Sequence, residues 1–551
     1  MSSILLCHGY LLEGSGSNLW TRCVLNSLAK SGRDAHIYCQ EPHPELYDFI
    51  SEAYIYENGV KRCILKRPSL HNGRVVMHKV KLSHLPVYVQ DSYEEFPAEN
   101  VQPIPQCSDD QLSSYITTNE QVLSTIIAEV RPTFVIVNHV VLLSEAVRRA
   151  CASSQVDFAL MPHGSSLEYA VKKDSRMMKI SHNVMNQAKV VLTISDEIQE
   201  RLSSVFGNNY TNKFVGLPLG VDVASFTTVP LSQRFQGYAR LKDSLQRWIS
   251  DESIVGRSLN QNIRVERSLS EKLDLKKLQQ LCSESWYPRK GPDSDAVEKL
   301  DRIKWDTDQV LLFVGRLLSG KGIACLLAAL PLLCQKMELL DPSSSTHLVV
   351  VGHGPFREIA EALLFALKTR NESLLDSLVK QIAFLEGDST DEPLPELDSF
   401  FFELRKNEQL DDYFNQVEKF ADNIIFLGYL THSYLSLLYP LVNYCVFPSI
   451  VKEAGPLVAL EAVSCGVLFQ GVYYAGMKST IDRLSNVLNS DVINAMKLST
   501  NRTQIINDIV DKFPILLKES TNDQLRSVLR QFAEDRLDWS HCVGIILEQM
   551  Q

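Results

Sequence analysis

Short apolar runs of strand length alternate with longer helical patterns along most of this chain, and the alternation starts afresh in the second half. Residues 3–7, 35–38, 134–137, 158–161 and 190–194 form the first series, and residues 310–315, 347–351, 424–427 and 444–447 the second. Strand–helix–strand units of this kind bury their strands on both faces of a parallel sheet. The pattern therefore predicts an α/β fold with two parallel-sheet domains. After residue 194, Ser195 and Asp196 supply a helix N-cap and Glu197 an acidic first turn. Two stretches break the rhythm. Residues 226–303 are rich in Ser, Gln, Asp, Lys and Arg, with helical pieces such as 273–281 before Trp286-Tyr287-Pro288-Arg289-Lys290-Gly291-Pro292; they read as a linker enlarged by an insertion. Residues 371–422 are acidic and helix-prone and include Gly387-Asp388-Ser389-Thr390-Asp391-Glu392-Pro393-Leu394-Pro395-Glu396. An excursion of that length is a lid, an oligomer contact or a mobile hairpin. The expected organisation is a domain over 1–225, a linker over 226–303, a second domain over 304–478 and closing helices over 479–551.

Composition narrows the partners. The chain has 551 residues, 45% hydrophobic and 22% charged, enough for two or three domains with sizeable cores. A net charge of −11 argues against nucleic acid or an anionic membrane as the main partner, so an anionic ligand must be bound locally. The 12 cysteines are scattered, with no CxxC pair and no histidine cluster at zinc spacing. They read as reduced core residues, and no metal site is expected. No basic region precedes the first apolar run, which is strand length rather than signal length. No apolar stretch approaches the roughly 20 residues that span a bilayer, since even 133–143 is interrupted by Asn138 and His139. A cytoplasmic protein without a transmembrane segment is the expectation.

Candidate chemistry gathers at strand ends. In Phe447-Pro448-Ser449-Ile450-Val451-Lys452-Glu453-Ala454-Gly455-Pro456-Leu457-Val458-Ala459-Leu460-Glu461, two glutamates stand eight positions apart across a strand-to-helix turn, with Pro456 suited to the first helical position. Leu457, Leu460, Glu461 and Ser464 share one face of that helix. Glu461 thus interrupts an apolar stripe, where an unpaired carboxylate is costly. A ligand with vicinal hydroxyls would satisfy it, with Glu453 reaching the ligand's other end; a helix cap or an arginine partner is the other reading. Val314-Gly315-Arg316-Leu317-Leu318-Ser319-Gly320-Lys321-Gly322 offers a guanidinium fork and a mobile ammonium where a diphosphate would sit. It is not a Walker loop, because Gly322 replaces the Ser or Thr that would hold magnesium. A solvated basic turn is the alternative. Glu13-Gly14-Ser15-Gly16-Ser17-Asn18-Leu19-Trp20 would let backbone amides approach a phosphate, although Leu19 replaces the third glycine of a dinucleotide fingerprint; a tight turn accounts for it equally. In Met161-Pro162-His163-Gly164, His163 is either a site residue aimed into a cleft or a satisfied structural histidine. Lys172, Lys173 and Arg176 follow it, as a solvated face or as a site for an anionic acceptor. Val351-Gly352-His353-Gly354-Pro355 and Leu427-Gly428-Tyr429-Leu430 put small residues where a base or phosphate would approach, or are plain turns.

In this order, the GRL…KG, GHG, FLG and PS…E…LEA blocks resemble the retaining nucleotide-sugar glycosyltransferases of family four. The resemblance runs from the first strand to the end, the two insertions excepted. It implies the GT-B fold, two Rossmann-like domains facing each other across a cleft, and transfer of a hexose from a nucleotide-diphosphate sugar to an acceptor hydroxyl without metal or resident cofactor. By the same resemblance, Arg316 and Lys321 would bind the diphosphate, Glu461 the ribose, and Glu453 the hydroxyls of the transferred sugar. His163 would contact that sugar from the opposite domain, and Gly16 a phosphate. Gly352, Gly428 and the backbone at Gly455 and Leu457 would line the donor. Leu217-Pro218-Leu219-Gly220-Val221-Asp222 is similar to the segment before the hinge, and Phe532 and Trp539 to the helix that crosses back. The chain departs from the family at Gly455-Pro456, where Phe-Gly is common, at 467–470, and at Ala475-Gly476, where Gly-Gly is usual. Pro456 has no N–H to give. A nucleotide-sugar epimerase and a non-catalytic nucleotide-sugar-binding subunit are the alternatives.

Overall fold

In the computed structural model the apolar runs line up as two sheets, one in each of two units. Unit 1 comprises Met1–Asp222 and Leu537–Gln551, and unit 2 comprises Val223–Arg536. The structure describes residues 3–89, 93–250, 264–271, 275–284, 291–387 and 393–550. The expectations for 273–274, 286–290 and 388–392 lie outside them.

Unit 1 contains β1 (Ile4–Cys7), β2 (Ala35–Tyr38), β3 (Ile50–Glu57), β4 (Val60–Lys66), β5 (Val75–Val80), β6 (Leu85–Val87), β7 (Val101–Pro103), β8 (Phe134–Asn138), β9 (Phe158–Met161), β10 (Val190–Thr193) and β11 (Phe214–Gly216). Its main sheet has the order β11-β10-β9-β8-β1-β2-β5-β3-β4, and β6 pairs with β7. All pairs are parallel except β3 with β4. That hairpin turns at Asn58 and Gly59, with φ of 51° and 78°, the left-handed pair that favours Asn-Gly in tight hairpins. Leu537–Gln551 returns to this unit. The Val221 amide donates to the Leu537 carbonyl at 2.7 Å, and the Trp539–Glu548 helix packs on the Gly16–Lys30 helix. Gly220 has to be glycine there, because a Cβ would lie 2.7 Å from the Trp539 ring. Phe532 belongs to unit 2, on the Asp523–Arg536 helix.

Unit 2 contains β12 (Gln309–Val314), β13 (Thr346–Val351), β14 (Ile424–Gly428), β15 (Tyr444–Phe447), β16 (Leu468–Val472) and β17 (Lys497–Leu498). Its sheet is wholly parallel, in the order β14-β13-β12-β15-β16-β17. Numbered within the unit this is 3-2-1-4-5-6, the doubly wound order, which reverses direction between β12 and β15. Those two strands are in register through Leu311↔Tyr444 and Leu312↔Cys445, so their carboxyl ends open side by side.

Both interruptions of the rhythm are built into unit 2 where described. In 226–303, the Arg234–Ile249 helix packs on the His432–Leu438 helix. The buried Arg234 donates to the Leu441 carbonyl at 2.8 Å, the Asp308 carbonyl at 3.2 Å and Asn443 Oδ1 at 3.2 Å. A guanidinium satisfied by three core acceptors ties this segment to unit 2. In 371–422, the helices Glu372–Leu385, Pro395–Lys406 and Leu410–Phe420 bury Leu378, Ile382, Phe401, Phe414 and Val417, and the Tyr413 hydroxyl donates to the Ala328 carbonyl at 3.0 Å.

The Ile323–Leu340 helix corrects the reading that no apolar run approaches membrane-spanning length. Its 18 residues are long and apolar enough to cross a bilayer by length and composition, and 67% of it is buried within unit 2. A helix apolar all round suits a core position equally, and here it follows β12 under the sheet. Ten of the 12 cysteines are buried, and among the described residues none is in a disulfide bond.

Candidate functional site

Ligands of doubly wound sheets bind outside the carboxyl ends of the strands where the order reverses. In unit 2 that place lies between the loops leaving β12 and β15. The first carries Arg316 and Lys321, the second Glu453. They meet: Lys321 Nζ donates to Glu453 Oε1 at 2.8 Å, with both side chains about a quarter exposed. Arg316 is half-buried in the same loop. Gly322 takes a left-handed φ of 71°, and a Cβ there would stand 2.0 Å from the Pro448 carbonyl oxygen. Only glycine lets these two loops touch. Opposite them the Tyr474 hydroxyl donates to the Ser449 carbonyl at 2.9 Å. Burial, and next the Glu453 charge, push the Tyr474 phenol up, so it stays a neutral donor.

Glu461 lies on the Leu457–Ser464 helix that follows and is 5% exposed. One carboxylate oxygen, Oε1, meets His432 Nε2 at 3.1 Å. The other, Oε2, is buried with no partner at hydrogen-bonding geometry among the described residues, and the Tyr439 phenol lies beside the carboxylate. His432 was not legible as a partner, because it sits 29 positions away at the start of another helix. Pro456 occupies the N-cap rather than the first helical position, which corrects the sequence expectation. Its carbonyl accepts from the Ala459 amide at 3.0 Å. The missing N–H of Pro456 therefore removes one donor from the helix start, while Leu457 and Val458 keep amides that have no acceptor within the helix. Gly455 and Leu457 are half-buried beside it. Gly476 approaches the same loop: its amide donates to the Glu453 carbonyl at 2.9 Å, and a Cβ would lie 2.4 Å from the Ala454 oxygen. Ala475 beside it takes a φ of 49°.

Two glycines are explained by the chain itself. A Cβ on Gly352, at φ 147°, would fall 1.8 Å from the Gly315 oxygen, and one on Gly428, at φ 78°, 2.7 Å from Asp293 Oδ1. Gly352 also donates to the Gly428 carbonyl at 2.8 Å. Their small size serves close approach of β12, β13 and β14 loops, the turn reading left open above.

Unit 1 also reverses its strand order, between β1 and β8, and there a polar cluster fills the strand ends. His163 Nε2 pairs with Asn138 Oδ1 at 3.2 Å. Asn138 Nδ2 contacts His8 Nδ1 at 3.1 Å and donates to Thr21 Oγ1 at 2.6 Å, and His8 Nε2 meets Asn18 Oδ1 at 2.8 Å. The His139 ring lies 4.9 Å from that of His163. Burial holds His8 down to about 4 and His163 to about 3. At neutral pH these imidazoles exchange hydrogen bonds without carrying charge. His8, Asn138 and His139 escaped notice as a set because the sheet, not the sequence, makes them neighbours. Gly16 is the first residue of the Gly16–Lys30 helix, capped by Ser15, whose hydroxyl accepts from the Asn18 amide. It is Gly14, at φ 99°, whose backbone favours glycine. The basic group after His163 is largely neutralised: Lys172 pairs with Glu168 at 2.7 Å, Lys173 lies over the Tyr169 ring, and Arg176 is held by Asp174 and Asp109.

No family model matches the sequence, and no curated protein sequence does. Solved structures do match over the whole chain. The catalytic domain of starch synthase IV from Arabidopsis thaliana, bound to ADP and acarbose, superposes with a TM-score of 0.56 at 11% identity, covering 100% of this chain and 98% of that one. The sucrose-phosphate synthase from Thermosynechococcus elongatus gives 0.51 at 15% identity, covering 100% and 99%. HepE from Anabaena in complex with UDP gives 0.51 at 12%, with the same coverage. The chain has the GT-B fold. At these identities the likeness reaches the fold alone.

Proposed function

We propose that the chain is a retaining glycosyltransferase that moves a hexose from a nucleotide-diphosphate sugar to an acceptor hydroxyl. The observation that carries this reading is Glu461 Oε2, a buried carboxylate oxygen with no partner at hydrogen-bonding geometry among the described residues, at the carboxyl end of a doubly wound sheet. Leaving such an oxygen unsatisfied is costly, and the ribose hydroxyls of a nucleotide would satisfy it. Arg316 and Lys321 then meet the diphosphate, with the Leu457 and Val458 amides at the helix start adding donors. Glu453, released from Lys321 as the phosphates arrive, accepts from the sugar hydroxyls. Structures sharing the fold were solved with ADP or UDP, which supports a nucleotide as the class of ligand.

In the transfer, the bond from the sugar's anomeric carbon to the phosphate oxygen breaks as the acceptor oxygen bonds to that carbon. The acceptor's proton passes to the departing diphosphate. The protein positions the reactants and stabilises the charge growing on the leaving group, the work of Arg316 and Lys321.

The test is thermal stability of the wild type and of Glu461→Gln with UDP, GDP, ADP and dTDP, followed by product analysis with the matching nucleotide sugars. One nucleotide at 100 times its dissociation constant should stabilise the wild type by about 2.7 kcal/mol, and the variant markedly less. Stabilisation without glycosyl transfer to any acceptor would favour the non-catalytic reading. No stabilisation by any of the four would remove the donor site.

A further inference from the structure

Glu386 stands just past the Glu372–Leu385 helix, inside the segment that interrupts the second alternating series. Its Oε1 accepts from the Ser319 amide at 2.7 Å, and its Oε2 accepts from the Ser319 hydroxyl. Ser319 opens the single 3-10 turn Ser319–Lys321, whose capping position is held by Leu318, a residue with no side-chain acceptor. A glutamate 67 residues away thus provides the capping carboxylate that the local sequence lacks.

The same turn is gripped from its other side. The Gly320 carbonyl accepts from the Ile450 amide at 3.0 Å, the Val451 amide at 3.2 Å and the Ser449 hydroxyl at 3.3 Å. At Gly322 the backbone rests against Pro448. Between these two grips the turn has little freedom, and it carries Lys321 two residues after Ser319 and Arg316 three residues before it.

We propose that Glu386 is a positioning residue for the diphosphate-binding turn: its two hydrogen bonds to Ser319 hold Lys321 and Arg316 in place for the phosphates of a nucleotide donor. This inference rests on the donor reading above. The inserted segment is thereby part of the donor site's frame. A carboxylate near a diphosphate is electrostatically unfavourable, so the benefit of Glu386 to the donor lies in the geometry of its bonds to Ser319. A glutamine keeps an acceptor for the Ser319 amide and a donor for its hydroxyl.

The experiment compares the full-length wild type, Glu386→Gln and Glu386→Ala. Each is titrated calorimetrically with UDP, ADP, GDP and dTDP and with the corresponding nucleosides, and hydrogen exchange of residues 315–322 is followed without ligand. The alanine variant should bind its diphosphate about tenfold more weakly, the usual weight of hydrogen bonds to a charged group, while its nucleoside affinity stays within about twofold. The glutamine variant should stay within about threefold of the wild type for both. Exchange at Ser319–Lys321 should quicken in the alanine variant alone. Equal diphosphate affinity in alanine variant and wild type would overturn the proposal, as would an equal loss of nucleoside and diphosphate, or a glutamine variant as weak as the alanine one. If the wild type binds none of the diphosphates, the donor reading fails, and unchanged exchange would separately remove the clamp.

Discussion

Lys321 and Glu453 form an ion pair whose side chains are each about a quarter exposed. A pair in that much water contributes at most about 1 kcal/mol to folding. Lys321→Met should therefore shift the urea unfolding free energy by less than about 1 kcal/mol, yet weaken nucleoside diphosphate binding about tenfold or more; a large loss of stability with intact binding would mark the pair as structural. Glu461 differs because it is buried. Glu461→Gln keeps a carbonyl for the His432 ring but turns an acceptor into a donor where the ribose is placed, so nucleoside affinity should itself fall, in contrast to Lys321→Met. Arg316, Lys321 and Glu453 lie on the loops that leave β12 and β15, and Glu461 on the helix after β15, so their place at that end of the sheet could be read from local pattern. The places of His432 and Glu386 could not. Their partners lie 29 and 67 positions away, and nothing in a local pattern records which helix end will be folded against which loop.

Among the elements, the loops leaving β12 and β15 touch through a backbone that tolerates no side chain. Gly322→Ala would add a Cβ 2.0 Å from the Pro448 oxygen at a left-handed φ. Pushing the loops apart should cost about 2 kcal/mol or more and abolish diphosphate binding, both readable from one melting series with and without nucleotide. The inserted helices offer a second test. Arg502 donates to Glu396, which is fully buried, through Nε at 2.9 Å and Nη2 at 3.2 Å. Arg502→Met leaves that carboxylate alone and should cost about 3 kcal/mol at pH 7. Burial already raises the Glu396 pKa; without Arg502 it rises further, so the variant should regain part of the loss on acidification, as proton uptake removes the unpaired charge. Nine of the strands were readable as short apolar runs. The edge hairpin of β3 and β4 was not, because β4 exposes nearly every residue and so lacks the apolar run of a buried strand; its Asn-Gly turn was the signal available.

For the molecule as a whole, buried histidines set the response to acid. Burial holds His8 and His36 down to about 4 and His78 and His163 to about 3, against 6.5 when unfolded. Between those values the unfolded chain binds more protons than the folded one, so stability rises with pH. Their contribution is fully present above about pH 6.5 and is lost as pH falls toward the folded values. His43, raised chiefly by its hydrogen bond to Glu94, works the other way but is largely exposed. The urea midpoint should fall steadily from pH 7 to pH 5, with each buried imidazole adding a slope of up to about 1.4 kcal/mol per pH unit; a flat profile over that range would show the imidazoles to be solvated. The two-sheet architecture was legible because period and length of apolar runs survive without context. The division between the units falls at Asp222–Val223 and at Arg536–Leu537, residues that carry no local mark of a boundary.

That division also fixes an order of assembly. Unit 1 is interrupted by the whole of unit 2, and the helix that covers Gly16–Lys30 is made only after unit 2. At about 5–20 residues per second, the ribosome takes on the order of tens of seconds to pass from Asp222 to Leu537. Throughout that time the surface that Trp539 covers stays open, so the second unit in sequence is the first that can be complete.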